Sequence, residues 1–238
     1  METELKFLSA GDQSLVIELG NSIDYEINQK IRGLTYSIEQ NSIPGVIELI
    51  PSYRSILINF DATVISIPEL KNIASEHYSN LKNIALPKPK TIEIPTLYGG
   101  EYGPDIEFVA KHAKLTIKEV INIHTKNIYP IYMIGFTPGF PYLKGLDEQL
   151  NTPRLKTPRT SISEGSVGIA NNQTGIYPVK SPGGWQIIGR TPIKLFSPNN
   201  KNPFIFNLGD NIKFNPILDE KEFSIIEKKM NIIKEKEL

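Results

Sequence analysis

The sequence of 238 residues predicts an α+β protein in which a small N-terminal α+β sandwich domain is followed by a β-barrel domain. Two amphipathic helical segments alternate with pairs of short strands near the N-terminus, and the Pro-Lys run LPKPK interrupts regular structure at 86–90. Short β-rich runs separated by turns then fill 129–216. The predicted boundaries are 1–86 for the first domain, 91–219 for the barrel with a helical hairpin insert, and 220–238 for a C-terminal helix.

The first domain begins with two strand-like runs on either side of Gly11-Asp12. Apolar residues then recur at steps of three and four, which is typical of one face of a helix: Ile23, Ile27, Ile31, Leu34 and Ile38. Ser22 is the predicted cap of this helix. The run IPGVIELIPSYRSILINFD predicts two more strands with a break near Pro51-Ser52. A second helix starts at a Ser66-x-x-Glu69 capping box.

The second domain opens with the strand-like run TIEIPTLY and a pair of short helices within 103–127. Thr116-x-x-Glu119 predicts a capping box for the second of these helices. That helix carries only Lys118 and Lys126 as cations, so a structural helical hairpin is favoured over a DNA-reading motif.

Seven β-rich runs follow at short intervals and predict a closed or nearly closed barrel. They are IYMIGF, SVGIA, GIYPV, WQIIGR, IKLFS, FIFNLGD and NIKFNPI. The charged end of the chain predicts a helix with Phe223, Ile226 and Met230 on one side.

Composition argues against several classes of function. Lys+Arg 26 balances Asp+Glu 26, so neither a nucleic acid nor an anionic membrane is expected as a partner. There is no Cys, which excludes disulfides and thiolate chemistry. No signal peptide and no membrane span are predicted, and the expected location is the cytoplasm. The three histidines lack metal-ligand spacing, so no metal site is predicted.

Two segments present cations and an aromatic side chain from constrained backbone. TPRLKTPR holds Arg154 and Arg159 on a stiff ribbon, where two planar guanidinium groups can bind a carboxylate or phosphate; the alternative is a solvated loop. SPGG predicts a type II turn with Gly183 at its third position, next to Trp185, the single tryptophan. Trp185 is interpreted either as the wall of a pocket or as a core aromatic, and Arg190 needs an anionic partner if it is buried.

Two further segments complete this candidate surface. GFTPGFPYL predicts a rigid aromatic ridge with Phe136, Phe140 and Tyr142, which suits a planar ligand or a protein groove. Gln173 and Thr174 belong to a predicted hairpin loop and either bind an amide or only form the turn. Catalytic residues stay unknown, because no complete catalytic set is visible and the chemistry is expected to be shared with a partner.

The same segments resemble a known family. YGGEYGPDIEFVA, GFTPGFPYLKGLD, TPRLKTPRT, GSVGIANNQTGIYPVKSPGGWQIIGRTP and PFIFNLGD follow in order the pattern of the 5-oxoprolinase B subunit, and GDQSLVIELG and PGVIELIPSYRSILINFD match near the N-terminus. This family also carries the names allophanate hydrolase subunit 1 and Kip-type histidine kinase inhibitor. The resemblance implies a cyclophilin-like barrel, a direct partner in the C subunit of 5-oxoprolinase, and ATP-driven opening of 5-oxo-L-proline to L-glutamate together with the A subunit.

The chemistry of the implied reaction leads to a hypothesis for the roles of the candidate residues. Arg154, Arg159 and Arg190 are assigned to anions, Phe140 and Trp185 to an apolar wall, and Gln173 and Thr174 to the lactam amide. Backbone N–H groups of Gly183 and Gly184 are expected to form an anion nest. ATP with Mg²⁺ is the implied cofactor, bound by this chain or by a partner protein. The alternative function is a regulatory protein that inhibits a sensor histidine kinase, and prolyl isomerase activity is a weaker third reading.

Overall fold

The structure, a computed structural model, describes residues 4–235, with side chains of the last helix up to Lys229. The chain divides into two compact units, Met1–Lys88 and Pro89–Leu238. Within residues 4–235 no helix combines the length and apolar character that a membrane crossing requires.

The first unit is a four-stranded antiparallel sheet in the order β1-β2-β4-β3, with two helices packed on it. Its elements are β1 (Leu5–Ser9), β2 (Ser14–Leu19), α1 (Tyr25–Asn41), β3 (Val46–Pro51), β4 (Ser55–Phe60), α2 (Ile67–Ser79) and a 3₁₀ turn at Leu81–Asn83. Alternate residues of β2 and β4 are fully buried and meet the apolar face of α1, including Ile31 and Leu34. The predicted strand pairs and helical stripe are therefore confirmed.

The start of α1 differs from the prediction. Its cap is Asp24, whose carboxylate accepts a hydrogen bond from Ile27 N at 2.9 Å. Ser22 donates its hydroxyl to Asp24 at 2.8 Å instead of capping the helix, and Ile23 lies exposed before the first turn. The prediction of Ser22 as cap was wrong, because the carboxylate nearer the helix is the stronger acceptor for its free N–H groups. The capping box of Ser66 and Glu69 at α2 is confirmed.

The second unit is built on a closed seven-stranded barrel in the order β10-β7-β6-β13-β5-β12-β9. β5 and β13 pair in parallel, the other neighbours pair antiparallel, and β8 and β11 form a separate two-stranded sheet. The strands are β5 (Thr91–Tyr98), β6 (Tyr129–Ile134), β7 (Pro141–Leu143), β8 (Arg159–Ile162), β9 (Ser166–Ala170), β10 (Gln173–Ile176), β11 (Ser181–Gly183), β12 (Gln186–Arg190) and β13 (Asn211–Pro216).

Three helices and two 3₁₀ turns accompany the barrel. They are α3 (Ile106–Ala113), α4 (Ile117–Lys126), α5 (Glu220–Glu235), Gly100–Tyr102 and Glu148–Leu150. The capping box of Thr116 and Glu119 at α4 is confirmed. On α5, Phe223 is buried against Tyr102 at a ring distance of 4.9 Å, whereas the Met230 side chain lies outside the described residues.

Closure of the barrel was predicted and is confirmed, but two of the seven predicted runs are not strands. IKLFS and FIFNLGD meet only through an isolated bridge between Phe196 and Phe204, whose rings stack at 5.1 Å. Pro198 and Pro203 lie between them and lack the N–H groups that a longer ladder needs. The predicted run TIEIPTLY, as β5, and the short strand β7 complete the barrel instead.

A chain of hydrogen bonds centred on His124 runs through the interior of the barrel. The imidazole is fully buried, with Nδ1 2.8 Å from the Tyr98 hydroxyl and Nε2 2.9 Å from the Thr174 hydroxyl. Thr174 donates its own hydrogen to Gly168 O at 2.9 Å, so Nε2 carries the proton and Nδ1 accepts from Tyr98. Each donor and acceptor in this hydrogen-bond network has a partner while the imidazole is neutral. Burial lowers the pKa of His124 to about 3.

Acidification is therefore expected to destabilise the second unit. The unfolded imidazole, with a pKa of 6.5, gains a proton that the folded one refuses until the pH approaches 3, so stability falls with pH across that window. Between pH 7 and pH 5 this single group costs about 2 kcal/mol of unfolding free energy. Denaturant titrations followed by Trp185 fluorescence at the two pH values measure the loss.

Two variants assign the loss to this histidine. His112→Gln removes an exposed imidazole and is expected to keep the wild-type pH dependence. His124→Gln is expected to be less stable at pH 7 and to lose less stability on acidification. An unchanged pH dependence in His124→Gln contradicts the assignment.

Candidate functional site

Three aromatic side chains of the second unit, those of Tyr142, Tyr177 and Trp185, pack around Phe140, and these four residues are called the aromatic cluster. The ring of Phe140 lies 4.8 Å from Tyr142, 5.1 Å from Tyr177 and 5.3 Å from Trp185, the last two in edge-to-face contact. Phe140 is 1% exposed and Trp185 is 5% exposed. The structure thus brings the two predicted wall residues together, with their rings inside the protein.

Local backbone geometry brings these rings together. The loop before β7 closes through hydrogen bonds from Gly135 N to Phe140 O and from Phe140 N to Thr137 O, each 3.1 Å long. Gly139 takes a φ of +80°, a conformation that few other residues adopt. A Cβ on Gly175 would lie 3.0 Å from Phe140 Cε1, so this glycine leaves room for the ring.

Phe136 differs from the residues of the aromatic cluster because its side chain is exposed. Its side chain is 60% exposed, and its ring meets Phe140 edge-to-face at 5.7 Å. Its φ of +70° is unusual for an aromatic residue and turns the chain sharply before Pro138. Of the predicted aromatic ridge, Phe136 is therefore at the surface while Phe140 is in the core.

Arg154 lies over Trp185 at the surface. Its guanidinium carbon is 5.9 Å from the centroid of the indole ring, within the range of a cation–π interaction. The side chain is exposed, as is that of Lys156 two residues later. Burial raises the pKa of the nearby Tyr142, and the charge of Arg154 opposes that rise. The cluster thus carries a cation on its solvent side.

Arg159 is held by an ion pair that the sequence did not reveal. Its Nη2 atom lies 2.7 Å from Oδ1 of Asp105, and Nη1 is 3.5 Å from the carbonyl oxygen of Trp185. The second oxygen of Asp105 accepts a hydrogen bond from Ile187 N at 2.6 Å. Asp105 immediately precedes α3, and its partners lie 54 and 82 positions away in the sequence, so no local pattern indicates them.

The other predicted polar residues lie elsewhere in the barrel. Arg190 is half-buried, and its Nε donates to the Glu164 carbonyl oxygen at 2.8 Å, so a backbone carbonyl takes the place of the anion that was expected. Thr174 is completely buried, and its hydroxyl is engaged by His124 and Gly168 inside the barrel. Gln173 is half-buried next to it at the start of β10.

The SPGG segment does not form the predicted type II turn. Ser181–Gly183 is strand β11, and Gly183 pairs with Arg159 of β8. Neither Gly183 nor Gly184 has φ in the left-handed region, which the third position of a type II turn requires. The carbonyl of Gly184 accepts from Leu155 N at 2.7 Å. Pairing with neighbouring chain segments therefore overrides the local turn preference.

The absence of a side chain at Gly183 leaves room for the aromatic cluster. A Cβ at this position would collide with the Tyr177 hydroxyl oxygen and lie 2.8 Å from Ile162 Cδ1. At Gly184 the nearest atom is Pro158 Cγ at 3.6 Å, an ordinary contact. Burial raises the pKa of Tyr177 to about 12, so its hydroxyl is neutral at physiological pH.

Two cavities are lined by residues outside the aromatic cluster. One of about 840 Å³ is lined in the first unit by residues that include Lys30, Tyr78 and Lys82. Another of about 490 Å³ lies near the start of α5 and is lined by residues that include Tyr102. In the described part of the chain, no group of three or more His, Asp or Glu side chains could hold a metal ion. The candidate site is thus the surface around Arg154, which lies over Trp185 next to the half-buried Tyr142.

Comparison with known proteins places the chain in a family. Residues 5–206 match the carboxyltransferase domain, subdomain C and D. The chain is 38% identical over 231 residues to the 5-oxoprolinase B subunit of Bacillus subtilis (strain 168), a match that covers 93% of this chain and 96% of that protein. It is 37% identical over 209 residues to the 5-oxoprolinase B subunit of Escherichia coli O157:H7, and this match covers 87% of this chain and 93% of that protein.

A solved structure agrees with this assignment. The crystal structure of TTHA0988 in space group P212121 superposes with a TM-score of 0.77 at 29% identity. The match covers 87% of this chain and 40% of TTHA0988, so this chain corresponds to less than half of that longer protein. The chain belongs to the carboxyltransferase subdomain C and D family, the family that includes the 5-oxoprolinase B subunit.

Proposed function

We propose that this chain is the B subunit of a cytoplasmic, ATP-dependent 5-oxoprolinase, which opens 5-oxo-L-proline to L-glutamate together with the A and C subunits. The match to the B subunit of Bacillus subtilis 5-oxoprolinase, at 38% identity over 96% of that protein, carries the proposal. We also describe the closed barrel of the second unit as cyclophilin-like. The chain is taken to be inactive alone, since its relatives are by name single components of an assembly.

The reaction sets chemical requirements that a site must meet. A lactam is a resonance-stabilised amide, and ATP supplies the phosphoryl group that makes its carbonyl carbon a better electrophile. The substrate also carries a carboxylate and an apolar ring. A protein that binds it needs a cation for the carboxylate and an apolar surface for the ring.

Arg154 and the aromatic cluster fit the carboxylate and the ring. The guanidinium of Arg154 is exposed above the Trp185 ring, and its planar donor pair matches the two oxygens of a carboxylate. Arg159 fits this role less well, because Asp105 already occupies one side of its guanidinium. We therefore assign the substrate carboxylate to Arg154 and the apolar contact to the surface around Trp185 and Tyr142.

Within residues 4–235, neither the Gly183–Gly184 segment nor Asp105 fits a bound nucleotide with its metal ion. The backbone of Gly183–Gly184 pairs with Arg159 and Leu155, and it lacks the left-handed residue of an anion nest. The carboxylate of Asp105 is committed to Arg159 and Ile187 and is not available to Mg²⁺. We therefore assign ATP and Mg²⁺ to a partner protein of the assembly.

Omission of this chain is expected to abolish the reaction. The purified A, B and C subunits are mixed with 5-oxoproline and ATP, and glutamate and ADP are quantified. The full mixture is expected to form both products, and the mixture without this chain neither of them above background. Undiminished glutamate formation without this chain would show that it is not part of the enzyme.

Arg154→Ala is expected to weaken substrate binding. Loss of one charge-assisted hydrogen-bonding group raises KM for 5-oxoproline about 10- to 100-fold, with a smaller change in kcat. Lys156→Ala is the matched control, because it removes an exposed cation two residues away on the same segment. Its KM is expected to stay near the wild-type value. Equal KM values in both variants and the wild type contradict the assignment of the carboxylate to Arg154.

Gly183→Ala is expected to disrupt the packing of the aromatic cluster next to the candidate site. The new Cβ displaces the Tyr177 hydroxyl, and overpacking of this kind costs about 1–3 kcal/mol of unfolding free energy. Gly184→Ala is the control, since its Cβ meets only ordinary contacts and its stability is expected to match or exceed that of the wild type. Denaturant unfolding followed by Trp185 fluorescence compares the two, and equal stabilities contradict the packing role of Gly183.

A further inference from the structure

Asp105 occupies the cap position of α3 without capping the helix. Its φ of −105° and ψ of 3° place it directly before Ile106, yet its side chain makes no capping hydrogen bond. The carboxylate instead points away from the helix, to Arg159 and to the backbone of Ile187. Aspartate commonly stabilises the start of a helix, but this carboxylate bonds to residues outside the helix.

The carboxylate of Asp105 joins two strands that are distant in sequence. Oδ1 lies 2.7 Å from Nη2 of Arg159 in β8, and Oδ2 lies 2.6 Å from the N–H of Ile187 in β12. The backbone N–H of Asp105 adds a third bond, to Ile187 O at 2.9 Å. Asp105 is 9% exposed, so these bonds are made largely away from water, where charge-assisted hydrogen bonds are strong.

Both strands hold parts of the candidate site. Ile187 lies two residues after Trp185, and Arg159 pairs with Gly183 two residues before it. Arg159 Nη1 also approaches the carbonyl oxygen of Trp185. The carboxylate thus fixes the chain on both sides of the single tryptophan, and it satisfies the charge of Arg159 at the same time.

We propose that Asp105 is a positioning residue, which holds Arg159 and the Trp185 segment so that Arg154 remains the cation presented to the substrate carboxylate. This role rests on the proposed function. In this proposal Asp105 acts through Arg159 and the backbone of Ile187, not on the substrate itself. Without its charge, Arg159 loses its ion pair with Asp105, and the Trp185 ring is no longer held beneath Arg154.

Asp105→Asn tests the proposal because it keeps the shape of the side chain. An amide accepts from Ile187 N with its oxygen, but it then turns its NH₂ group toward the guanidinium of Arg159. In the isolated chain, emission of the single tryptophan is expected to move to longer wavelength as Trp185 becomes more exposed. In the reconstituted enzyme, KM for 5-oxoproline is expected to rise about tenfold, with kcat changed less.

Two further variants and one control complete the experiment. Arg159→Gln is expected to reproduce both effects, and Asp105→Asn combined with Arg159→Gln to be no worse than either alone, because the partners act as one unit. Glu107→Gln removes an exposed carboxylate from the first turn of the same helix and is expected to behave as the wild type. Wild-type emission and KM in Asp105→Asn, or fully additive effects in the double variant, overturn the proposal.

Failure of the proposed function has a separate signature. If the wild-type complex opens no lactam, the 5-oxoprolinase reading fails, while the emission of the isolated variants still decides whether Asp105 positions Trp185. If Asp105→Asn does not fold by circular dichroism, Arg159→Gln carries the test, since Arg159 is partly exposed. Unshifted emission in a folded Arg159→Gln variant then overturns the positioning role.

Discussion

The candidate site depends on the close packing of aromatic side chains against glycine residues. Gly175 faces the edge of Phe140, Gly183 faces the Tyr177 hydroxyl, and a Cβ on Gly168 would lie 3.1 Å from Trp185 Cβ. At each position the missing Cβ leaves room for an aromatic side chain. The high glycine content of this region therefore serves dense packing more than flexible turns.

This packing determines how charge is distributed around the cluster. Arg159 lies beside the buried rings and is paired with Asp105, since a partly buried cation is stable only with a partner. Arg154 lies on the solvent side, where water satisfies it and an incoming anion can replace that water. Two arginines that the sequence presents as equivalent, each in a Thr-Pro-Arg repeat, thus have different environments.

Features of local origin were predictable from the sequence. The capping boxes at Ser66 and Thr116 and the apolar stripe of α1 depend on residues a few positions apart, and the structure confirms them. The Asp105–Arg159 pair spans 54 positions, and no periodic pattern indicates it. SPGG was misinterpreted for the same reason, because pairing with β8 outweighed the turn preference of Pro182-Gly183.

The candidate site was predictable in part. Phe140, Trp185 and Arg154 were recognised from their composition and come together in the structure. Thr174 was singled out as a loop residue, whereas it completes the hydrogen-bond chain of His124 inside the barrel. The kinase-inhibitor alternative stays a prediction, because the relatives described above carry a different name.

An exposed cation over an aromatic ring explains why such a chain would work as one component of a larger enzyme. An ion pair at a solvated surface contributes little, because water competes for both charges. The attraction between Arg154 and a substrate carboxylate becomes stronger when the surrounding dielectric constant falls. A polypeptide that covers Arg154 and the edge of the aromatic cluster would lower that dielectric constant. The barrel supports this surface, and the hydrogen-bond network of neutral His124 is buried within it. Under the proposed function, a partner that covers this surface would strengthen the contact between Arg154 and the substrate carboxylate.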